Sequence, residues 1–76
     1  MDIREVFAKN LRRLRHEKGL SQEELADAAG INRTYVSKLE TAATYAGLEI
    51  IEKLSSALGI EPTALLAPPQ KRKGGT

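Results

Sequence analysis

Apolar residues along this chain recur at helical spacing. Ile3, Phe7, Leu11 and Leu14 step by three and four, which predicts a first helix over about residues 2–17. Asp2 and Glu5 lie in its first turn and Arg15, His16 and Lys18 in its last, as the helix dipole favours, and Gly19 then supplies a left-handed stop. Leu25, Ala26 and Ala29 give a second, shorter helix a small apolar face. Ser21 and Glu24 form a capping box at its start, and Gly30 closes it, where a residue without Cβ takes φ > 0 at little cost. Ala26 matters by being small, because a bulky side chain there would hold the second and third helix axes apart. Asn32 is a good N-cap for the third helix, whose inward residues are Val36 and Leu39. Two short helices broken by a tight turn make residues 22–40, QEELADAAGINRTYVSKLE, a helix-turn-helix pattern. A fourth helix over about 48–58 has Leu48, Ile51, Leu54 and Leu58 as its buried stripe and Gly59 as its stop. Pro62 suits the first turn of a short final helix through residue 66. Five α-helices and no sheet are expected.

Small Ala26, Gly30, apolar Ile31, then Val36 and Leu39 resemble the helix-turn-helix of the phage repressor and Cro-type (XRE) family. The run GLSQEELADAAG is that family's most recognisable segment. RTYVSKLE looks especially like the controller proteins of restriction–modification systems and related small bacterial repressors. The resemblance covers roughly residues 7–66 and implies a five-helix, lambda-repressor-like DNA-binding domain. It also implies an ion pair between Arg15 and Glu40, tying the first helix to the end of the recognition helix, where a guanidinium fork suits a carboxylate. The family usually follows that glutamate with one residue and a glycine, then basic residues and a proline. Here Ala42, Ala43, Thr44 and Ala46 stand instead, so the left-handed glycine cap of the third helix is in question and a phosphate clamp is missing. Weaker, but not absent, DNA binding is expected.

Fold alone does not give function, so the interface must be read from its residues. With Val36 and Leu39 facing inward, a 100° step places Thr34, Ser37, Lys38 and Thr41 on the opposite face, with Arg33 and Tyr35 flanking it in the first turn. A recognition helix, here about 32–41, enters the major groove with that end. Arg33 can read guanine O6 and N7 with two bonds. Lys38 suits a guanine or a phosphate. Thr34 and Ser37 donate or accept, and Tyr35 stands open between base contact, phosphate contact and packing on the second helix. Asn32 and Thr41 complete the DNA-binding set. The resemblance adds Gln22, whose amide would donate to a phosphate beside the unpaired N–H groups of the second helix. Arg12 and Arg13 suit phosphate no better than a solvated basic face.

The net charge of +2 is modest, but residues 1–20 carry +3, residues 21–61 carry −4 and the remainder +3. Such local basic charge suits a small interface with few phosphate contacts. At 76 residues the chain is near the size where one core is marginal. The absence of cysteine leaves dimerisation, not disulfides or a thiolate metal site, to supplement it. Ile50, Leu65 and Leu66 lack an obvious core position and are the expected contacts of a homodimer, since in this family that end of the domain forms the interface. Residues 1–67 are expected to form the domain and residues 68–76 a disordered basic tail.

No enzyme is expected: there is no cysteine, one isolated histidine, no Gly-rich phosphate loop and no carboxylate cluster beyond helix-surface acids. Neither a metal, a cofactor nor a small-molecule ligand is expected, the chain being too short for an effector domain. No apolar run approaches the ~20 residues of a membrane span, and the charged start lacks a secretory h-region. The resemblance makes a bacterial or phage-encoded cytoplasmic regulator binding double-stranded DNA the leading expectation. An antitoxin, or a protein-interaction module of the same fold, is the alternative.

Overall fold

The computed structural model describes residues 1–68. The basic run 71–73, expected to lie in a disordered tail, falls outside them. Five helices and no strand occur among the described residues: α1 (Ile3–Glu17), α2 (Gln22–Ala29), α3 (Arg33–Glu40), α4 (Leu48–Leu58) and α5 (Thr63–Leu66). Asp2 caps α1 by accepting from the Arg4 N–H. The Arg4 guanidinium donates to the same carboxylate at 3.0 Å and holds its carboxyl below the ordinary aspartate range. The Ser21–Glu24 capping box opens α2 with both reciprocal bonds formed, at 3.0 and 2.8 Å. Asn32 opens α3 by accepting from the Thr34 N–H at 2.7 Å.

α1 packs against α3 and α5, and α2 packs against α3 and α4. The core joins Phe7, Leu11 and Leu14 of α1 to Leu25 and Ala26, Val36 and Leu39, Ile51, Leu54 and Leu58, and Leu65. Ala26 is buried at the close approach of the helix-turn-helix pair. Three expectations need correction. Leu48 is 85% exposed: it is the first residue of α4, and a helical Cβ tilts toward the N-terminus, so its side chain leans off the helix end and past the core. Ile3 is likewise exposed at the start of α1, whereas Val6 and Ala8 are buried.

Leu65, expected at a dimer interface, is fully buried within the single chain. The reason lies on α1. Asn10 sits three residues after Phe7 and four before Leu14, so it shares their inward face. Its Nδ2 donates to the carbonyls of Leu65 and Ala67, each at 2.9 Å, and folds α5 back onto α1. A polar residue in an apolar stripe was the available signal for this clamp.

α1, α2, α3 and α4 all end alike. In each the residue after the last turn takes a left-handed conformation, and its N–H and the next return to the helix in a Schellman pattern. Glycine fills that position three times, at Gly19, Gly30 and Gly59; after α3 it is Ala42, at φ 61°. The left-handed turn is therefore kept without the glycine. For an L-residue that conformation costs about 1–2 kcal/mol, while glycine carries a larger unfolded-state entropy. Ala42→Gly is accordingly expected to stabilise the chain by about 1 kcal/mol, a Tm rise of about 4–8 °C for a domain this size. An unchanged or lowered midpoint in thermal unfolding would show that the turn is unstrained.

Candidate nucleic-acid interface

α3 turns Val36, Leu39 and Glu40 inward and leaves Arg33, Thr34 and Lys38 exposed; Ser37 is half-buried. Its outward side therefore carries two cations and hydroxyls on a helix only eight residues long. Asn32 is exposed, but its Oδ1 is committed to the cap, leaving the Nδ2 donor for anything outside. Tyr35 is half-buried against the core, and its hydroxyl donates to the Tyr45 carbonyl at 3.3 Å. That geometry favours packing, with the ring bracing the loop between α3 and α4. Tyr45 in turn receives the Arg4 guanidinium over its ring at 4.9 Å. The Thr41 hydroxyl points back into the last turn, 3.1 Å from the Ser37 carbonyl and 3.2 Å from that of Lys38. It must give up that donation before it can serve a phosphate.

Behind the exposed face lies one buried carboxylate. Glu40 is 2% exposed. Arg15 donates to it from Nε at 2.6 Å and from Nη2 at 3.0 Å, in a fork matched to its two oxygens. The remaining Arg15 Nη1 donates to the Leu20 carbonyl at 2.8 Å, which ties the end of α1 into the same junction. Gln22 also turns inward: its Nε2 donates to Glu40 Oε1 at 2.9 Å. One of its two amide hydrogens is thus spent inside the protein and one remains. This second role was not legible, since Gln22 and Glu40 are 18 residues apart and meet only because α2 begins where α3 ends. The three groups join α1, α2 and α3 at a single point, and every fully buried side-chain nitrogen or oxygen among the described residues has a partner.

Of the two arginines on this side of α1, Arg12 is half-buried and Arg13 exposed. Arg12 donates from Nη1 to the main-chain carbonyl of Glu40. Arg13 reaches Glu17 at 3.4 Å and Asn10 Oδ1 at 3.3 Å along its own helix. Of the expected interface residues, Leu66 is 39% exposed and Ile50 half-buried, whereas Leu65 lies inside. Exposed Leu66, Ile3 and Tyr45 line a shallow apolar groove together with Phe7, Ala46 and Ile51. No group of acidic or histidine side chains with metal-binding geometry occurs among the described residues. No described helix is long and apolar enough to cross a membrane.

This fold is shared with known proteins. The solved structure of the hypothetical transcription factor NHTF from Neisseria superposes with a TM-score of 0.89 at 47% identity, covering 99% of this chain and 86% of that one. The restriction–modification controller protein C.AhdI from Aeromonas hydrophila superposes with a TM-score of 0.80 at 45% identity, covering 82% of this chain and 94% of its own. Control protein C.BamHI of Bacillus amyloliquefaciens is 41% identical over 66 residues, which are 86% of this chain and 82% of that protein. Residues 11–65 match the family described as helix-turn-helix, HTH_3. With all five helices inside or overlapping that match, α5 ending one residue beyond it, the chain belongs to the HTH_3 helix-turn-helix family of non-enzymatic transcription regulators.

Proposed function

We propose that the chain binds double-stranded DNA sequence-specifically as a homodimer, with α3 of each copy in the major groove of one half of a pseudo-palindromic operator. The observation that carries this reading is the division of α3. Its apolar side and Glu40 are buried, and the exposed side presents Arg33, Thr34 and Lys38 from a helix whose capped N-terminus is exposed. Arg33 lies in the first turn, which enters the groove most deeply, and its planar fork matches guanine O6 and N7. Lys38, one turn further on, serves a guanine or a phosphate. The second amide hydrogen of Gln22, left over from its bond to Glu40 at the start of α2, donates to a backbone phosphate.

A single eight-residue helix reads about half a turn of groove, and the few cations beside it supply little nonspecific affinity. Two copies present two such helices, ~34–36 Å apart on one face of the duplex. Leu66 and Ile50, joined by exposed Leu48, supply apolar surface for the two-fold contact, away from the α3 face. Residues 1–67 serve as the binding domain.

Selection of bound sites from a random duplex pool tests the proposal, and an imperfect palindrome with half-site centres ~10 base pairs apart is expected. Arg33→Ala should then relax the preference at one base pair per half-site, costing ~1–3 kcal/mol there and leaving the other positions intact. A pool that yields no consensus would instead favour a protein-interaction module of the same fold.

A further inference from the structure

The last turn of a helix leaves four carbonyls without intrahelical partners. In α3 these belong to Ser37, Lys38, Leu39 and Glu40. The Thr41 N–H and hydroxyl serve Ser37; the Ala43 N–H, at 2.9 Å, serves Lys38; the Ala42 N–H, at 3.2 Å, serves Leu39. Glu40 is left over by the Schellman pattern, and its carbonyl is where the Arg12 guanidinium arrives from α1. Arg12 also lines the shallow hollow formed with Ala8, Thr41 and Ala42, so its charge lies against the negative end of the α3 dipole.

We infer that Arg12 is a positioning residue for DNA recognition: it caps the C-terminal end of α3 from another helix and sets the pose of the reading face. The inference rests on the proposed DNA-binding function. Arg15 and Arg12, one turn apart on α1, hold the side chain and the main chain of the same residue, Glu40. Together the two arginines fix both where α3 ends and how it is rotated. Ala42 is why the Arg12 bond matters. Where glycine stands, the left-handed turn ends a helix without strain; where alanine stands, the turn is held against a steric cost. A charge-assisted bond to the last carbonyl opposes fraying at that point, and fraying would displace Lys38 and Ser37 first.

The rival role is a phosphate contact, and the two differ in what salt does. A phosphate contact contributes ~0.9 to the log–log salt slope for each ion pair and strengthens binding to all sequences alike. A cap contributes nothing to that slope and acts on the specific complex. The experiment measures wild type, Arg12→Ala, Ala42→Gly and the double variant on the selected operator and on a scrambled duplex across a salt series. Circular dichroism confirms that each is folded. Arg12→Ala is expected to lower the operator-to-scrambled affinity ratio by about tenfold per half-site, the scale of one charged hydrogen bond, with the salt slope unchanged. Ala42→Gly should restore most of that ratio in the double variant, because an unstrained turn ends α3 without help. If Arg12→Ala does not fold alone, the double variant against Ala42→Gly carries the same comparison, with a ratio near that of Ala42→Gly expected. A slope reduced by ~0.9 with equal losses on both duplexes would overturn the inference in favour of phosphate binding. An unchanged ratio and slope would overturn it too, as an idle bond. Absence of any operator preference in wild type would count against the DNA-reading proposal itself.

Discussion

Replacing Glu40 with alanine is expected to destabilise the folded chain by about 3 kcal/mol with no DNA present, the lower end of what breaking a buried ion pair costs. The carboxylate is 2% exposed and accepts three side-chain bonds, two from Arg15 and one from Gln22. Its removal strands the guanidinium of Arg15, a residue itself only 8% exposed, at the junction of three helices. The loss falls at the lower end because Arg15 keeps its bond to the Leu20 carbonyl and can turn partly toward water. Most of the effect is the uncompensated charge left behind, so Arg15→Ala in the same background should recover part of it. The double-mutant cycle therefore gives a large coupling energy, measured by urea unfolding. Glu40→Gln, which keeps an acceptor of the same shape, should lose less than Glu40→Ala. Additivity of the two alanine substitutions would mean that the pair is a contact without energetic weight. In a chain of this size the expected loss is a large share of total stability, so Glu40→Ala should also bind DNA poorly for a reason unrelated to contact.

Leu65→Ala should cost about 2–5 kcal/mol of folding stability, the range for truncating a wholly buried leucine. Leu65 is fully buried in a short helix held to α1 by Asn10, so the vacated space is lined by core residues that are themselves tied in place. Leu66→Ala is the counterpart. Leu66 is 39% exposed and should leave monomer stability within about 0.5 kcal/mol of wild type, as surface substitutions usually do. It should weaken self-association, read as a shift of the monomer–dimer equilibrium in sedimentation. Unfolding must be followed well below the dimer dissociation constant, because association adds to apparent stability by mass action. A Leu65→Ala variant with wild-type unfolding and impaired assembly would return Leu65 to the interface.

Sequence alone determined what depends on residues near one another along the chain. The period of apolar residues in α1, the capping box at Ser21, the Asn32 cap and the glycine stops are local, because each is decided within about one turn by backbone sterics and nearby hydrogen bonds. The burial of Val36 and Leu39, and with it the exposure of Arg33, Thr34 and Lys38, follows from the same periodicity. The left-handed turn after α3 was obscured only because alanine holds it in place of glycine.

Tertiary structure decided the rest, where two segments distant in sequence compete for one place. Leu48, Leu65 and Leu66 are the same residue type with similar local surroundings. Leu48 is exposed because it opens α4, whereas which of Leu65 and Leu66 is buried depends on where α5 lands, and Asn10 settles that from 55 residues away. Gln22 looked committed to the outside until α3 brought Glu40 within reach of its amide. Arg12 and Arg13 are adjacent and chemically identical. One reaches another helix and the other stays on its own, because consecutive residues point 100° apart and only one direction leads to the end of α3. Local propensity sets what a residue can offer, and the packing of distant helices sets which offer finds a partner.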